Sequence, residues 1–220
     1  MKKKLLILSI SLALASTTSI LHAEGNISAG KQKSESCNSC HGESGNSMVA
    51  TFPKLAQQHS SYLEKQLHAF KNGNRNDPMM SAMAIALTDD DISDISAYYA
   101  IEKISENTLP VLADDDKDEQ SPGDKDIQTL IAQGSNLYRN GDLSREVSAC
   151  IACHGSLGEG NKPASFPALK SQHADYLIKT LSDFKSGSRG NNPENIMQMI
   201  AKKMTDEEIK AVSYRISMMK

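Results

Sequence analysis

CNSCHG, residues 37–42, and CIACHG, residues 150–155, are two copies of one cluster, and they hold all four cysteines of a 220-residue chain. Three chemistries use cysteines spaced this way. A Cys-x-x-Cys pair forms a disulfide or a redox dithiol, normally in a βαβ setting. Two such pairs ligate zinc. Cys-x-x-Cys-His is also the attachment signature of c-type haem, in which the two thiols reach the vinyl groups of one porphyrin and the histidine faces the iron. No segment alternates as a strand, which disfavours the dithiol. The histidine after each second cysteine, on an exported chain, disfavours zinc. The expectation is covalent haem at Cys37 and Cys40 and again at Cys150 and Cys153, with His41 and His154 as proximal iron ligands.

The cluster is one part of a larger repeat. FPKLAQQHSSYLEKQLHAFKNGNR (52–75) aligns without a gap on FPALKSQHADYLIKTLSDFKSGSR (166–189). SAGKQKSESCNSCHG runs parallel to the stretch from AQGSNLYRNG to CIACHG, and TDDDISDI (88–95) to TDEEIKAV (205–212). The chain is a tandem duplication. Its joint, SENTLPVLADDDKDEQSPGDKD, is Asp-rich and carries Pro110, Pro122 and Gly123, so a solvated linker over 104–126 is expected between domains at 24–103 and 127–220. Each half reads as mostly helical: a short helix before the cysteines, a second over Ser60–Asn72 and its copy Ala174–Ser186, and a third opening at Thr88 or Thr205 with an acid three residues on.

The first 23 residues, MKKKLLILSISLALASTTSILHA, have the layout of a cleaved secretory leader: three lysines, an apolar run too short to span a bilayer, and a polar exit. A periplasmic location is expected. Residues 24–103 carry 7 basic and 10 acidic side chains, 104–126 carry 2 and 8, and 127–220 carry 12 and 9. No region is basic enough for nucleic acid. The opposite signs of the two halves would orient charged protein partners. Aromatic residues make up 5% of the chain and tryptophan is absent, so two domains this small need something else to fill them.

On CNSCHG and CIACHG, FPKL and FPAL, the YL…L…FK.G.R helix in both halves, and the TDDDI and TDEEI helices, the chain resembles the dihaem cytochrome c4 family over essentially its whole mature length. The resemblance implies an all-α fold of two tandem class I cytochrome c-like domains, each built around one covalently attached haem, with two haem c groups per chain.

A sixth iron ligand should occupy the same place in both halves. Of ten methionines, only Met80 and Met197 match, each eight residues before a capping threonine. This agrees with where the family carries its ligating methionines, whose soft thioether raises the potential. His59 and His173 also match and are rivals, with polar helix-start residues the preferred reading. By resemblance, Pro53 and Pro167 offer their carbonyls to the proximal histidines, which fixes the rings. Arg75 and Arg189 would either pair with haem propionates or be solvated cations at helix ends. One difference separates the halves: SAYY puts Tyr98 where VSYRI has Arg215, so the two haem environments would differ.

The expected function is a periplasmic electron carrier, not an enzyme, with both irons His/Met-ligated. By resemblance it takes electrons from an upstream quinol-oxidising donor to a membrane terminal oxidase, as a monomer loosely associated with the membrane. The alternatives are a dihaem enzyme (a peroxidase or thiosulfate-oxidising cytochrome) with one open or labile haem site, and a subunit of a larger respiratory complex.

Overall fold

The computed structural model describes residues 25–109 and 123–220; the leader expected at 1–23 and the middle of the acidic linker lie outside them. The first half is built of α1 (Ile27–Lys33), a 3-10 turn (Ser34–Cys37), α2 (Asn38–His41), α3 (Ser60–Lys71), α4 (Pro78–Ala84) and α5 (Asp89–Ile101). The second half comprises α6 (Gly123–Asn140), α7 (Ile151–His154), α8 (Ala174–Ser186), α9 (Ile196–Ala201) and α10 (Asp206–Ser217). Among the described residues, the β-structure consists of two isolated bridges, Asp142–Val147 and Asn161–Phe166.

Local chemistry sets the helix ends. Thr88 and Thr205 accept the backbone N–H groups of Asp91 and Glu208 at 3.1 and 3.2 Å, and those acids accept the threonine N–H groups at 2.8 Å each. These capping boxes satisfy donors that a helix start leaves free. The helix that opens the second half has 18 residues, not the short helix expected.

In each half the first helix packs across the last, and glycine makes the crossing possible. A Cβ on Gly30 would lie 2.0 Å from the Asp94 carbonyl oxygen, and one on Gly134 would lie 2.0 Å from that of Ala211. Four residues beyond these glycines the halves diverge. Ser34, 1% exposed, lies beside the Tyr99 hydroxyl in the first half. In the second half the corresponding position is Tyr138, and Ile216 stands where Tyr99 would be. The bulk has moved from the last helix to the first.

This exchange also resolves the Arg215 difference. The Tyr98 hydroxyl donates to the Glu43 carbonyl at 2.9 Å, just past the first cysteine cluster. Tyr138 donates to the Gly155 carbonyl at 2.7 Å, just past the second. The tyrosine missing from α10 is supplied by α6. Tyr138→Phe is therefore expected to cost about 1 kcal/mol, read as a lower denaturant midpoint for the second domain alone. Tyr98→Phe should do the same for the first.

The two halves interlock with approximate two-fold symmetry. Gln58 donates to the Ala168 carbonyl at 2.8 Å and accepts the Ala168 N–H at 2.8 Å. Gln172 makes the mirror pair with Lys54, at 2.9 Å in both directions. His59 Nε2 bonds the Glu159 carbonyl at 2.8 Å, and His173 Nε2 that of Ser47 at 2.9 Å.

The linker expectation needs correction at both ends. Residues 105–107 face solvent in part but are held in place: Ser105 N–H donates to Asn46, and the buried Lys54 ammonium donates to the Ser105 carbonyl and to Asn107 Oδ1, both at 2.7 Å. Asn107 Nδ2 lies 2.9–3.1 Å from the carbonyls of Ser171, Gln172 and Ser217. At the other end, α6 begins at Gly123, so residues 123–126 are helical. A buried lysine and an asparagine provide enough backbone partners to order a segment that polarity alone would leave in water.

Candidate functional site

Each cysteine cluster forms a single helical turn, α2 or α7, ended by a left-handed glycine, Gly42 (φ +79°) or Gly155 (φ +79°). The turn brings its two thiols and its imidazole into one short segment. His41 and His154 are 6% and 7% exposed. Their Nδ1–H groups donate to the Pro53 and Pro167 carbonyls at 2.9 and 3.0 Å. Each Nδ1 is therefore engaged, and among the described residues no hydrogen bond holds Nε2. Burial lowers both histidine pKa values, against the opposing effect of the proline carbonyls, so the rings are neutral near pH 7. A buried, oriented, neutral imidazole with a free nitrogen is what a metal ligand requires.

None of the four cysteines is in a disulfide, and the first of each pair faces apolar surroundings while Cys153 is exposed. Cys37 packs against the cluster of Leu63, Ile95, Tyr98 and Tyr99, beside half-buried Leu55, Leu67 and Leu87. Cys150 packs on the equivalent cluster of the second half, beside Leu169 and Leu181. Burial pushes the Cys37 thiol pKa up and that of Cys150 to about 11. Burial of Cys37 and Cys150 disfavours their thiolates, the form through which a redox dithiol or a zinc site works.

The methionines sit on short helices opened differently. Met80 is in the first turn of α4, whose start is set by Asp77 as cap, with Oδ1 accepting the Met80 N–H at 3.0 Å, and by Pro78 at the first position. Met80 is five residues after Arg75, whereas Met197 is eight after Arg189. The three extra residues build a turn, Pro193–Asn195, in which Glu194 and Asn195 have φ of 51° and 57°. A left-handed non-glycine residue costs roughly 1–2 kcal/mol, so the second methionine follows a strained segment and the first does not.

Arg75 and Arg189 are not solvated cations. Arg189 is 6% exposed, and each guanidinium stacks 4.5 Å from a ring centroid, Phe70 for Arg75 and Phe184 for Arg189. They meet at the domain interface. Both donate to Gln66 Oε1, at 2.9 and 3.0 Å; Arg75 also reaches the Tyr176 hydroxyl at 3.1 Å and Arg189 that of Tyr62 at 2.9 Å. Among the described residues no carboxylate forms an ion pair with either. Against the upward push of burial, the two arginines pull the Tyr176 phenol pKa down to about 8. Asp77 acts on half-buried Arg75 through its field without forming an ion pair, and buried Arg189 has no carboxylate paired with it, so the two arginines together favour a further acidic partner. His59 and His173, the rival ligands, have Nε2 engaged across the interface.

These features fit a flat apolar group that bears acidic substituents and a metal: half-buried leucines beside two thiols, an imidazole nitrogen free to bind, and paired arginines. The Cytochrome c family pattern matches residues 27–100 and again 131–217. Cytochrome c4 of Pseudomonas aeruginosa is 39% identical over 214 residues, covering 97% of this chain and 96% of that protein.

The chain belongs to the dihaem cytochrome c4 family.

A crystal structure of reduced cytochrome c4 from Pseudomonas stutzeri superposes with a TM-score of 0.79 at 35% identity, over 89% of this chain and all of that one. A thiosulfate dehydrogenase electron acceptor of Stutzerimonas stutzeri is 34% identical over 178 residues, covering 80% of this chain and 76% of that protein. The chain is thus a c-type cytochrome of two tandem helical domains with two haem c groups, and it transfers electrons. Sequence reasoning missed the Tyr138 substitution and the interlocking glutamines. The sign of the latter was present: Gln58 and Gln172 recur at matched positions, each just before a matched histidine, without any core or haem-attachment reason.

Proposed function

We propose that the chain is a periplasmic electron carrier, not an enzyme, with thioether links at Cys37, Cys40, Cys150 and Cys153. The iron ligands are His41 and Met80 in the first domain and His154 and Met197 in the second. When bound, each haem supplies one-electron ferric–ferrous chemistry. The protein does the rest. The proline carbonyls orient the imidazoles, the leucines exclude water, and Arg75 and Arg189 hold propionates at the interface. The interlock keeps the two centres at a fixed separation while electrons cross.

The observation that carries this reading is the doubled one: the same buried His–Pro pair and a matched methionine in each half. Equivalent ligation of both irons is the design of a relay. The leader at 1–23 supports export. Exposed Met79, Met83 and Ile85, on and just after α4, give a partner an apolar rim beside Met80, and the opposite charges of the halves orient docking. The partners are an upstream donor and a membrane terminal oxidase. The similarity to a thiosulfate dehydrogenase electron acceptor favours a second reading of the donor, in which a thiosulfate-oxidising enzyme reduces the chain.

The test is haem staining and optical spectroscopy of the exported chain. Two covalent haems are expected, with a far-red sulfur-to-ferric-iron band that loses about half its intensity in Met80→Ala, half in Met197→Ala and all in the double variant. One high-spin haem in the native protein would overturn the carrier reading. Thiosulfate with its dehydrogenase, or a quinol-oxidising complex, should then reduce the chain, and whichever does identifies the donor.

A further inference from the structure

The two methionine segments are built to different standards, and the difference bears on what else can bind. In the first domain Asp77 and Pro78 start α4 with ordinary helical geometry, and Met80 follows on a capped first turn. In the second domain α9 begins at Ile196, and the residue at its cap position, Asn195, is left-handed and makes no side-chain cap. Asn192 Oδ1 holds the Met197 N–H at 2.9 Å from five residues back, while Asn192 Nδ2 is buried without a partner. Pro193, Glu194 and Asn195 are exposed, so nothing packs over the strained turn. Below it, Gln198 Nε2 donates to the Arg189 carbonyl at 3.0 Å and closes the loop at its base. Asn191 is tied to Arg189 Nε at 3.0 Å and to Gln66 Oε1 of the first half at 2.8 Å, so the part of the loop that can shift without moving Arg189 or the domain interface is residues 192–197.

We infer that Met197 is the displaceable axial ligand, and that the second domain, unlike the first, is a binding site for small neutral or anionic donors of the imidazole and cyanide class. The inference rests on His/Met ligation of both haems. In the exchange the iron–thioether bond to Met197 breaks and a bond from the incoming lone pair forms. No electron is transferred and the iron stays ferric. Relief of two left-handed residues drives the loop outward, a driving force that the Met80 segment lacks.

Cyanide titration of the ferric, full-length holoprotein tests this, with the far-red band as readout. About half of the band should be lost at low cyanide, and the remainder should need at least about tenfold more, tenfold being the equivalent of about 1.4 kcal/mol. Met80→Ala leaves only the second domain's band, which should be lost in the low range; Met197→Ala leaves the first domain's, which should persist. Glu194→Gly with Asn195→Gly removes the strain without touching iron, and should shift the sensitive phase towards the resistant one. A single phase for both haems, or earlier loss at Met80, overturns the inference while leaving His/Met ligation intact. Absence of the far-red band in the untreated native protein overturns the ligation itself, and this inference with it.

Discussion

Gly134→Ala should lower the melting temperature of the second domain by about 15 °C. Helix propensity alone predicts the opposite, a gain of about 1 kcal/mol. Packing decides the sign. The added Cβ would sit 2.0 Å from the Ala211 carbonyl oxygen, 2.5 Å from its carbon and 2.9 Å from the Val212 nitrogen. These are backbone atoms of α10 and cannot rotate away. The helices must part, and the core of Tyr138, Ile209, Val212 and Ile216 opens with them. Overpacking of this kind costs about 3 kcal/mol net, which for a domain of this size is about 4–8 °C per kcal/mol. Gly30→Ala should act likewise on the first domain. Calorimetry of the holoprotein resolves the two, and a stabilised Gly134→Ala variant would show that the helices do not cross there.

The double variant Gln58→Ala, Gln172→Ala should uncouple the domains. Each glutamine gives both ends of its amide to one residue of the other half, and its oxygen also accepts the following histidine's N–H at 3.0 Å. Alanine strands the N–H and C=O of Lys54 and of Ala168 in a closed interface. Each buried unpaired group costs about 1–3 kcal/mol, so four cost at least about 4 kcal/mol. That raises the population of the undocked form several-hundred-fold, at tenfold per 1.4 kcal/mol. Calorimetry should show the transitions of the two domains, partly coupled in the native protein, moving further apart. Intramolecular electron transfer, followed after flash reduction, should slow and become sensitive to solvent viscosity. Unchanged coupling in both measurements would mean that the arginine–tyrosine network alone holds the halves together.

How much of this was legible follows from the range of each interaction. The haem clusters, the capping threonines and the repeat are local patterns, and they located the second and third helices of each half within a residue or so. The matched proline carbonyls, placed by resemblance, lie where the histidines reach them. The interface was hidden because its partners stand more than a hundred residues apart. Periodicity gives no register between halves, and a matched Gln or Tyr reads as surface until the other half is brought against it. The linker was misread for the same reason: Asn107 looks solvated until Ser171 and Ser217 are placed beside it. The Pro193–Asn195 strain has no compositional mark, since glycine, the usual sign of left-handed backbone, is absent from that turn.

The exchange of bulk between Ser34–Tyr99 and Tyr138–Ile216 has a consequence for folding fidelity. A duplicated chain risks pairing the first helix of one repeat with the last helix of the other, the characteristic misassembly of tandem repeats. Here the crossed pairs do not match. α1 on α10 would set Ser34 against Ile216 and leave a hole; α6 on α5 would set Tyr138 against Tyr99 in space made for one ring. Only the two correct pairings fill their seams, so complementary size acts as a proofreading rule that keeps neighbours of the same fold from exchanging partners as they fold.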